Sequence, residues 1–102
     1  MNSRIEALTR MVEARPEDTR ARFGLALEYE RVGQWEQVIV HLGEYLSSAQ
    51  DEGNGYGRLA RALKRVGRDE EAREAYRLGI AAAGRHGHPT MAMELEEELE
   101  EM

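Results

Sequence analysis

The stretch LARALKRVGRDEEAREAY, residues 59–76, decides the fold, because the same outline occurs 34 residues earlier as LALEYERVGQWEQVIVHL, residues 25–42. Residues 19–52 align with residues 53–86 without a gap. Identical residues occur at seven pairs of positions: Leu25/Leu59, Ala26/Ala60, Arg31/Arg65, Val32/Val66, Gly33/Gly67, Glu36/Glu70 and Ala49/Ala83. Repetition at a fixed period is typical of repeat architectures, so we predict two copies of one helical hairpin.

Apolar residues recur at helical spacing along most of the chain. The predicted helices cover residues 3–15, 18–32, 35–48, a segment ending at Gly67, 70–83 and 90–101. Gly33 and Gly67 should form equivalent turns after their helices, because glycine readily adopts the left-handed conformation of a helix C-terminus. The glycine-rich stretch 53–57 predicts that the fourth helix starts late or frays, since each interior glycine costs about 1 kcal/mol relative to alanine. Residues 84–88 are predicted to be a loop.

Side chains that can cap helices mark several of these starts. Ser3, with Glu6 three residues later, has the spacing of a capping box. Asp69 is predicted to cap the fifth helix and Asp51 the fourth. Pro16 should end the first helix, and Pro89 suits the first turn of the last one. The predicted core is Leu25, Ala26, Leu59, Ala60, Leu63, Ala72 and Tyr76.

The repeated positions resemble the tetratricopeptide repeat, as found in small bacterial proteins of that family. The family pattern is W-x2-L-G-x2-Y, then A-x3-F, then P. The second repeat places these residues at the pattern positions: Tyr56, Leu59, Ala60, Leu63, Ala72, Tyr76 and Gly84. The first repeat has these: Arg22, Leu25, Ala26, Tyr29, Val38, Leu42 and Gln50. Arg22 and Gln50 depart from the pattern, and Tyr45 stands where the family usually has a small residue.

The resemblance implies an all-α, right-handed superhelix of about six antiparallel helices. It covers a single domain, residues 1–102, with a half-repeat at 3–16, repeats at 19–52 and 53–86, and a capping helix at 89–101. It also implies a non-enzymatic module that binds a peptide or a partner protein in a concave groove.

Composition excludes several other classes of protein. The 102 residues include no cysteine, so neither a disulfide framework nor a thiolate metal site is possible. The net charge is −6, with 14 basic and 20 acidic residues, and six of the glutamates lie in residues 94–102. An acidic chain is not expected to bind nucleic acid, which is recognised mainly through phosphate contacts from lysine and arginine. The sequence has no long apolar run and no apolar signal segment, so we expect no membrane span and a cytoplasmic location.

No motif in the sequence supports catalysis or cofactor binding. There is no phosphate-binding loop and no dinucleotide fingerprint, so no cofactor is expected. His86 and His88 could begin a metal site, but further ligands are lacking nearby, and we interpret them as loop residues. His41 is interpreted as a residue on the helix surface.

A strip of arginines on the fourth helix is the main candidate for a binding surface. Arg58, Arg61, Arg65 and Arg68 recur every three or four residues, and Lys64 lies beside them. In a tetratricopeptide arrangement the first helix of each repeat lines the groove. The predicted partner-binding residues are Phe23, Leu27, Arg58, Arg61, Arg65 and Leu95. Because guanidinium groups bind carboxylates in a bidentate geometry, this surface predicts an acidic, partly apolar peptide ligand.

Two alternatives remain open. In the first, Glu94 or Glu98 of the last helix pairs with Arg61 or Arg65, and the strip only holds that helix. In the second, the protein is a self-associating scaffold, such as a homodimer formed through its end helices. Apolar residues are predicted at both ends of the chain: Ile5, Leu8, Met11, Met91, Leu95 and Leu99.

Overall fold

The computed structural model describes residues 2–102, and this part of the chain forms six α helices and no strand. The helices are α1 (Ser3–Ala14), α2 (Thr19–Arg31), α3 (Trp35–Leu46), α4 (Asn54–Arg65), α5 (Asp69–Arg85) and α6 (Pro89–Glu100). The all-α prediction is confirmed. None of these helices is both long and apolar enough to span a bilayer.

The helices fall into two compact units. One unit runs up to Ala49 and contains α1, α2 and α3; the other begins at Gln50 and contains α4, α5 and α6. Within each unit, helices that are consecutive along the chain pack against each other. The division lies close to the predicted boundary between the two repeats, and the assignment of residues 1–102 to a single domain stays a prediction.

Equivalent glycine turns follow α2 and α4, as the repeat predicted. Gly33 and Gly67 have φ angles of +74° and +81°. In each turn the residue after the glycine donates its backbone N–H to a carbonyl five residues earlier, from Gln34 to Tyr29 and from Arg68 to Leu63, both at 2.9 Å. A β carbon would strain the backbone at these left-handed positions, so glycine is the residue that allows the hairpin to close.

Two of the predicted helix caps are wrong. Asn2, not Ser3, caps α1, because its Oδ1 accepts the N–H groups of Arg4 at 3.0 Å and Ile5 at 3.1 Å. Asp69 is the first residue of α5 instead of its cap. The turn at Gly67 already closes on residue 68, so the helix begins one residue earlier and places Asp69 in its first turn, where a carboxylate favours the helix dipole.

Asp51 organises the start of α4, which begins at Asn54 inside the glycine-rich stretch. The residue is 9% exposed, and its Oδ2 accepts the N–H groups of Gly53 at 2.9 Å, Gly55 at 2.8 Å and Tyr56 at 3.4 Å. Gly53 has a φ of +124°, and a β carbon there would lie 2.8 Å from the Sδ of Met91. The predicted late start is therefore wrong, because Asp51 bonds the N–H groups of the first turn and Gly55 and Gly57 are helical. Asp51 serves as a cap as predicted, although the N-cap position itself is Gly53, a glycine required by both conformation and space.

The predicted loop at residues 84–88 is shorter than expected. Helix α5 continues to Arg85, and the break falls at Gly87, which has a φ of +72°. Gly84 stays helical because nothing in its surroundings requires a left-handed conformation. Pro89 opens α6 as predicted.

The core prediction holds for all but one of its residues. Six of the seven are at most 4% exposed: Leu25, Ala26, Ala60, Leu63, Ala72 and Tyr76. Leu59 is only half-buried. The buried face of α4 contains Ala60, and successive side chains diverge by about 100° around a helix, so Leu59 lies at the edge of that face.

Candidate functional site

The arginine strip lies on α4 and at the turn that follows it. Arg61, Arg65 and Arg68 are exposed, whereas Arg58 is half-buried. No acidic residue occurs within α4, so positive charge dominates the helix itself. The partners of these arginines therefore come from other segments.

Glu98 of α6 holds Arg61 in a bidentate pair. The guanidinium donates from Nε to Oε1 at 2.7 Å and from its second terminal nitrogen to Oε2 at 2.8 Å. The Tyr76 hydroxyl donates to the same Oε1 at 2.9 Å. The alternative in which a glutamate of the last helix pairs with the strip is therefore confirmed for Arg61. A ligand carboxylate would have to compete with Glu98 for this guanidinium.

The environment of this cluster shifts two ionisation equilibria. The hydrogen bonds from Arg61 lower the pKa of Glu98 below its ordinary value. Burial, reinforced by the hydrogen bond to Glu98, raises the pKa of Tyr76 to about 12. Both shifts favour a charged Glu98 that accepts from a neutral tyrosine, so the cluster links α6 to both α4 and α5 at neutral pH.

Arg68 pairs locally with the start of α5. Its guanidinium donates to the two carboxylate oxygens of Glu71 at 2.5 and 2.8 Å. This bonding lowers the pKa of Glu71. Arg68 therefore contributes to the helix start as well as to the cationic strip.

A surface pocket of about 380 Å³ lies between α4 and α6. Its lining residues are Gly53, Asn54, Gly57, Arg61, Thr90, Met91, Glu94 and Leu95. Arg61 and Glu94 are the ionisable members of this set. Met91 is half-buried and supplies accessible apolar surface, whereas Gly53, Gly57 and Leu95 are buried.

Leu95 is a core residue rather than an exposed ligand contact. It is 2% exposed, and it sits where β carbons on Gly57 and Gly79 would lie 2.9 and 3.0 Å from its methyl groups. The expectation that Leu95 would project from an open groove or an end face is corrected, because the two glycines create a slot that this side chain fills.

The two predicted partner-binding residues on α2 lie in the first unit, which runs up to Ala49. Phe23 and Leu27 are both half-buried. The Phe23 ring packs at a tilt against Tyr45, with 4.9 Å between ring centroids. Each residue thus keeps some exposed apolar surface on α2.

Two ionisable residues of the first unit, Glu28 and His41, also have partners within it. Glu28 is 7% exposed and accepts from Arg31 at 3.0 Å and from Arg4 at 3.1 Å. The nearby His41 ring stacks on Tyr29, with centroids 5.5 Å apart, and lies half-buried. Burial is the main cause that lowers the pKa of His41.

The two histidines near the start of α6 do not gather a metal-binding set. His88 Nε2 lies 2.5 Å from Glu52 Oε1. Among residues 2–102, no group of three or more histidine, aspartate or glutamate side chains is arranged to hold a metal ion.

The apolar end faces expected for a scaffold are mostly used inside the two units. Ile5 and Leu8 pack against the cluster formed by Val12, Ala21 and Leu25. At the other end Leu95 is buried, and Met91 and Leu99 are half-buried. Met11, at 50% exposure, is the one clearly exposed member of the predicted set.

The pocket was missed from the sequence, although a signal for it was present. At the repeat offset of 34, Phe23 corresponds to Gly57 and Tyr45 corresponds to Gly79. Both members of an aromatic pair are therefore replaced by glycine in the second repeat. This paired replacement is the sequence signal that indicates the slot filled by Leu95, and the identities between the repeats do not contain it.

Comparison with known proteins supports the fold. No protein-family model matches the chain, and no curated protein matches it. The crystal structure of MamA, a tetratricopeptide-repeat-like protein, is similar with a TM-score of 0.73 and 18% sequence identity. The similarity covers 93% of this chain, which spans 64% of the MamA chain. The all-α fold is accordingly tetratricopeptide-like and fits a helical solenoid.

Proposed function

We propose that the chain is a non-enzymatic protein-interaction module that binds a peptide or an extended segment of a partner protein. The similarity to the tetratricopeptide-like fold of MamA is the observation that carries this proposal. That class of fold presents helix faces to protein partners, and its likeness to the present chain extends over both units. A scaffold role, in which the module holds partners together, would depend on the same binding of partner proteins.

Each unit contributes a surface of its own to the proposal. In the first unit, the half-buried Phe23 and Leu27 offer apolar contacts on α2. In the second, the exposed Lys64 and Arg65 place positive charge at the C-terminal end of α4. We propose that the partner is partly apolar and carries an acidic group that meets this end of α4. Arg58 lies on the same helix, whereas Arg61 and Leu95 act mainly within the unit.

The apolar contacts should supply most of the affinity. An exposed ion pair contributes about 0–1 kcal/mol, so Arg65 would mainly orient the partner and speed its association. Such a contribution weakens with salt, because screening acts over about 8 Å at physiological ionic strength.

The test begins with peptides selected from a random displayed library against the purified chain. Fluorescence anisotropy then gives the Kd of a selected peptide for the wild type and for Arg65→Glu. Arg77→Glu, on α5, is the matched control because Arg77 is also exposed and makes only a 3.5 Å pair with Glu74. Both variants are first checked for an unchanged melting temperature.

We expect Arg65→Glu to weaken binding about fivefold and Arg77→Glu to leave it within about twofold, as the loss or reversal of one exposed charge contact implies. Added salt should reduce the difference between the two variants. The proposal fails if no peptide is enriched, or if both reversals affect binding equally.

A further inference from the structure

The pocket between α4 and α6 has a charge balance that differs from that of the arginine strip beside it. Arg61 contributes a positive charge, but both oxygens of Glu98 already accept from its guanidinium. Glu94 contributes a negative charge from an exposed position. Its carboxylate takes part in no hydrogen bond or ion pair within residues 2–102. The carboxylate of Glu94 is thus the charge that a ligand in this pocket would meet without having to displace a partner.

The walls of the pocket suit a long side chain with an apolar stem. Met91 and Leu95 line it together with Gly53 and Gly57, and of these four residues only Met91 is not buried. Side chains at these two glycines are excluded by space, since a β carbon would lie 2.8 Å from Met91 at the first and 2.9 Å from Leu95 at the second. The two glycines therefore allow Met91 and Leu95 of α6 to pack directly against the backbone at the start of α4.

We propose that this pocket binds a basic side chain, lysine or arginine, of the partner peptide. The cationic group would pair with Glu94, and the methylene stem would lie along the apolar wall, as long basic side chains commonly do. Charge complementarity favours this occupant: an acidic side chain would face Glu94 and would have to compete with Glu98 for Arg61. The amide of Asn54 and the hydroxyl of Thr90 supply further polar contacts at the lining.

The inference rests on the proposed function for the existence of a peptide ligand, and it changes the expected ligand. The pocket includes residues from the N-terminal end of α4, whereas Lys64 and Arg65 lie at the C-terminal end. A peptide with a basic residue at one end and an acidic residue at the other would match both. Such opposed charges fix the direction in which the peptide lies along α4, because reversing it would place like charges together.

The test uses three capped peptides that differ at one position: Ac-Gly-Leu-Lys-Leu-Gly-NH2 and its counterparts with norleucine or glutamate in place of lysine. Norleucine retains the stem and lacks the charge. Two-dimensional amide NMR spectra follow the backbone signals of Gly53 and Gly57, and the concentration dependence of their shifts gives the affinity. Glu94→Gln is the test variant, and Glu96→Gln is the matched control, since Glu96 is exposed on the same helix and does not line the pocket.

We expect lysine to bind tightest and glutamate weakest, with lysine about three- to fivefold better than norleucine, the size of one exposed charge contact. Glu94→Gln should make lysine and norleucine equal, and Glu96→Gln should keep the order. The inference is overturned if the glutamate peptide binds tightest, if the lysine preference survives Glu94→Gln, or if no peptide shifts Gly53 and Gly57. If library-selected peptides still bind and respond to Arg65→Glu without shifting these glycines, the proposed function stands and only the inference about the pocket fails.

Discussion

The same pair of positions is filled in opposite ways in the two units. In the first unit Phe23 and Tyr45 pack against each other, with their rings 4.9 Å apart. In the second unit the corresponding positions are Gly57 and Gly79, and Leu95 from α6 occupies the space between them. In the first hairpin the space between the two helices at these positions is filled by the hairpin's own aromatic side chains. In the second hairpin it is filled by a side chain from the next helix, α6.

The difference shows how two positions of a repeat decide which side chains fill the space between them. Aromatic residues at both positions fill this space in the first hairpin with its own side chains. Glycines at both positions leave the second hairpin dependent on α6 and bring that helix close enough to form one wall of the pocket. The following predictions test how far the comparison holds.

Truncation of Leu95 should have the largest effect. Leu95→Ala removes a side chain that is 2% exposed and leaves a cavity between two glycines, so the free energy of unfolding should fall by about 2–5 kcal/mol. Leu78→Ala is the control, because Leu78 is 45% exposed and surface changes usually stay within about 0.5 kcal/mol. Urea denaturation followed by circular dichroism measures both. Equal losses would mean that the slot does not depend on Leu95.

Alanine substitutions at Gly79 and Gly43 should have opposite effects on stability, because a side chain already fills the space beside Gly79 and none lies beside Gly43. A β carbon on Gly79 would lie 3.0 Å from both Leu95 and Tyr56, whereas one on Gly43 would meet nothing within 4 Å. Gly79→Ala should therefore destabilise the fold by about 1–3 kcal/mol through overpacking. Gly43→Ala should stabilise it by up to about 1 kcal/mol through helix propensity. Thermal and urea denaturation give both signs, and stabilisation by both substitutions would refute the close packing of α6.

Removal of the Tyr76 hydroxyl should lower the free energy of unfolding by less than either packing change does. Tyr76→Phe removes its bond to Glu98 while Arg61 still holds the carboxylate, and we expect a loss of about 1 kcal/mol. The pKa of Tyr76 is raised to about 12, so its contribution is complete below the ordinary value of 10 and is lost as pH rises through 12. The difference in tyrosinate absorbance between wild type and Tyr76→Phe should show that midpoint. A midpoint near 10 would place the hydroxyl in solvent.

Neutralising Glu98 should have the smallest effect on stability. Arg61 and Glu98 have side chains 47% and 31% exposed, so Glu98→Gln should cost about 0–1 kcal/mol at neutral pH. The pKa of Glu98 is lowered from its ordinary 4.5, so the stabilisation is present above 4.5 and is lost as pH falls through the lower folded value. Urea denaturation at neutral and acidic pH should show the two proteins converging in acid. A difference that grows on acidification would contradict this account.

The sequence predicted the helices well because their signals are local. Gly33 and Gly67 mark turns that require a left-handed residue, and Pro89 suits the first turn of α6, whatever surrounds them. The errors at Ser3 and Asp69 concern which of two adjacent residues caps a helix. That choice depends on how the preceding turn closes, so spacing alone does not fix it.

The site was harder to predict, because it depends on contacts between distant segments. Regular spacing identified the arginines of α4, but only the structure shows which carboxylate holds Arg61. Leu95 looked like an exposed apolar residue because its burial requires glycine at two positions on two other helices. The paired change from Phe23 and Tyr45 to Gly57 and Gly79 carries that information, and the identities between the repeats do not.

Mapping of a library-selected peptide on the whole chain tests the proposed interaction function most directly. Two-dimensional amide NMR spectra would be recorded with and without the peptide. The account predicts shifts within the proposed surface of either unit, at Phe23 and Leu27 on α2 or at Lys64 and Arg65 on α4, with the exposed Val40 of α3 and Leu78 of α5 unchanged. Shifts centred on Val40 or Leu78, with the amides of α2 and α4 unmoved, would contradict it.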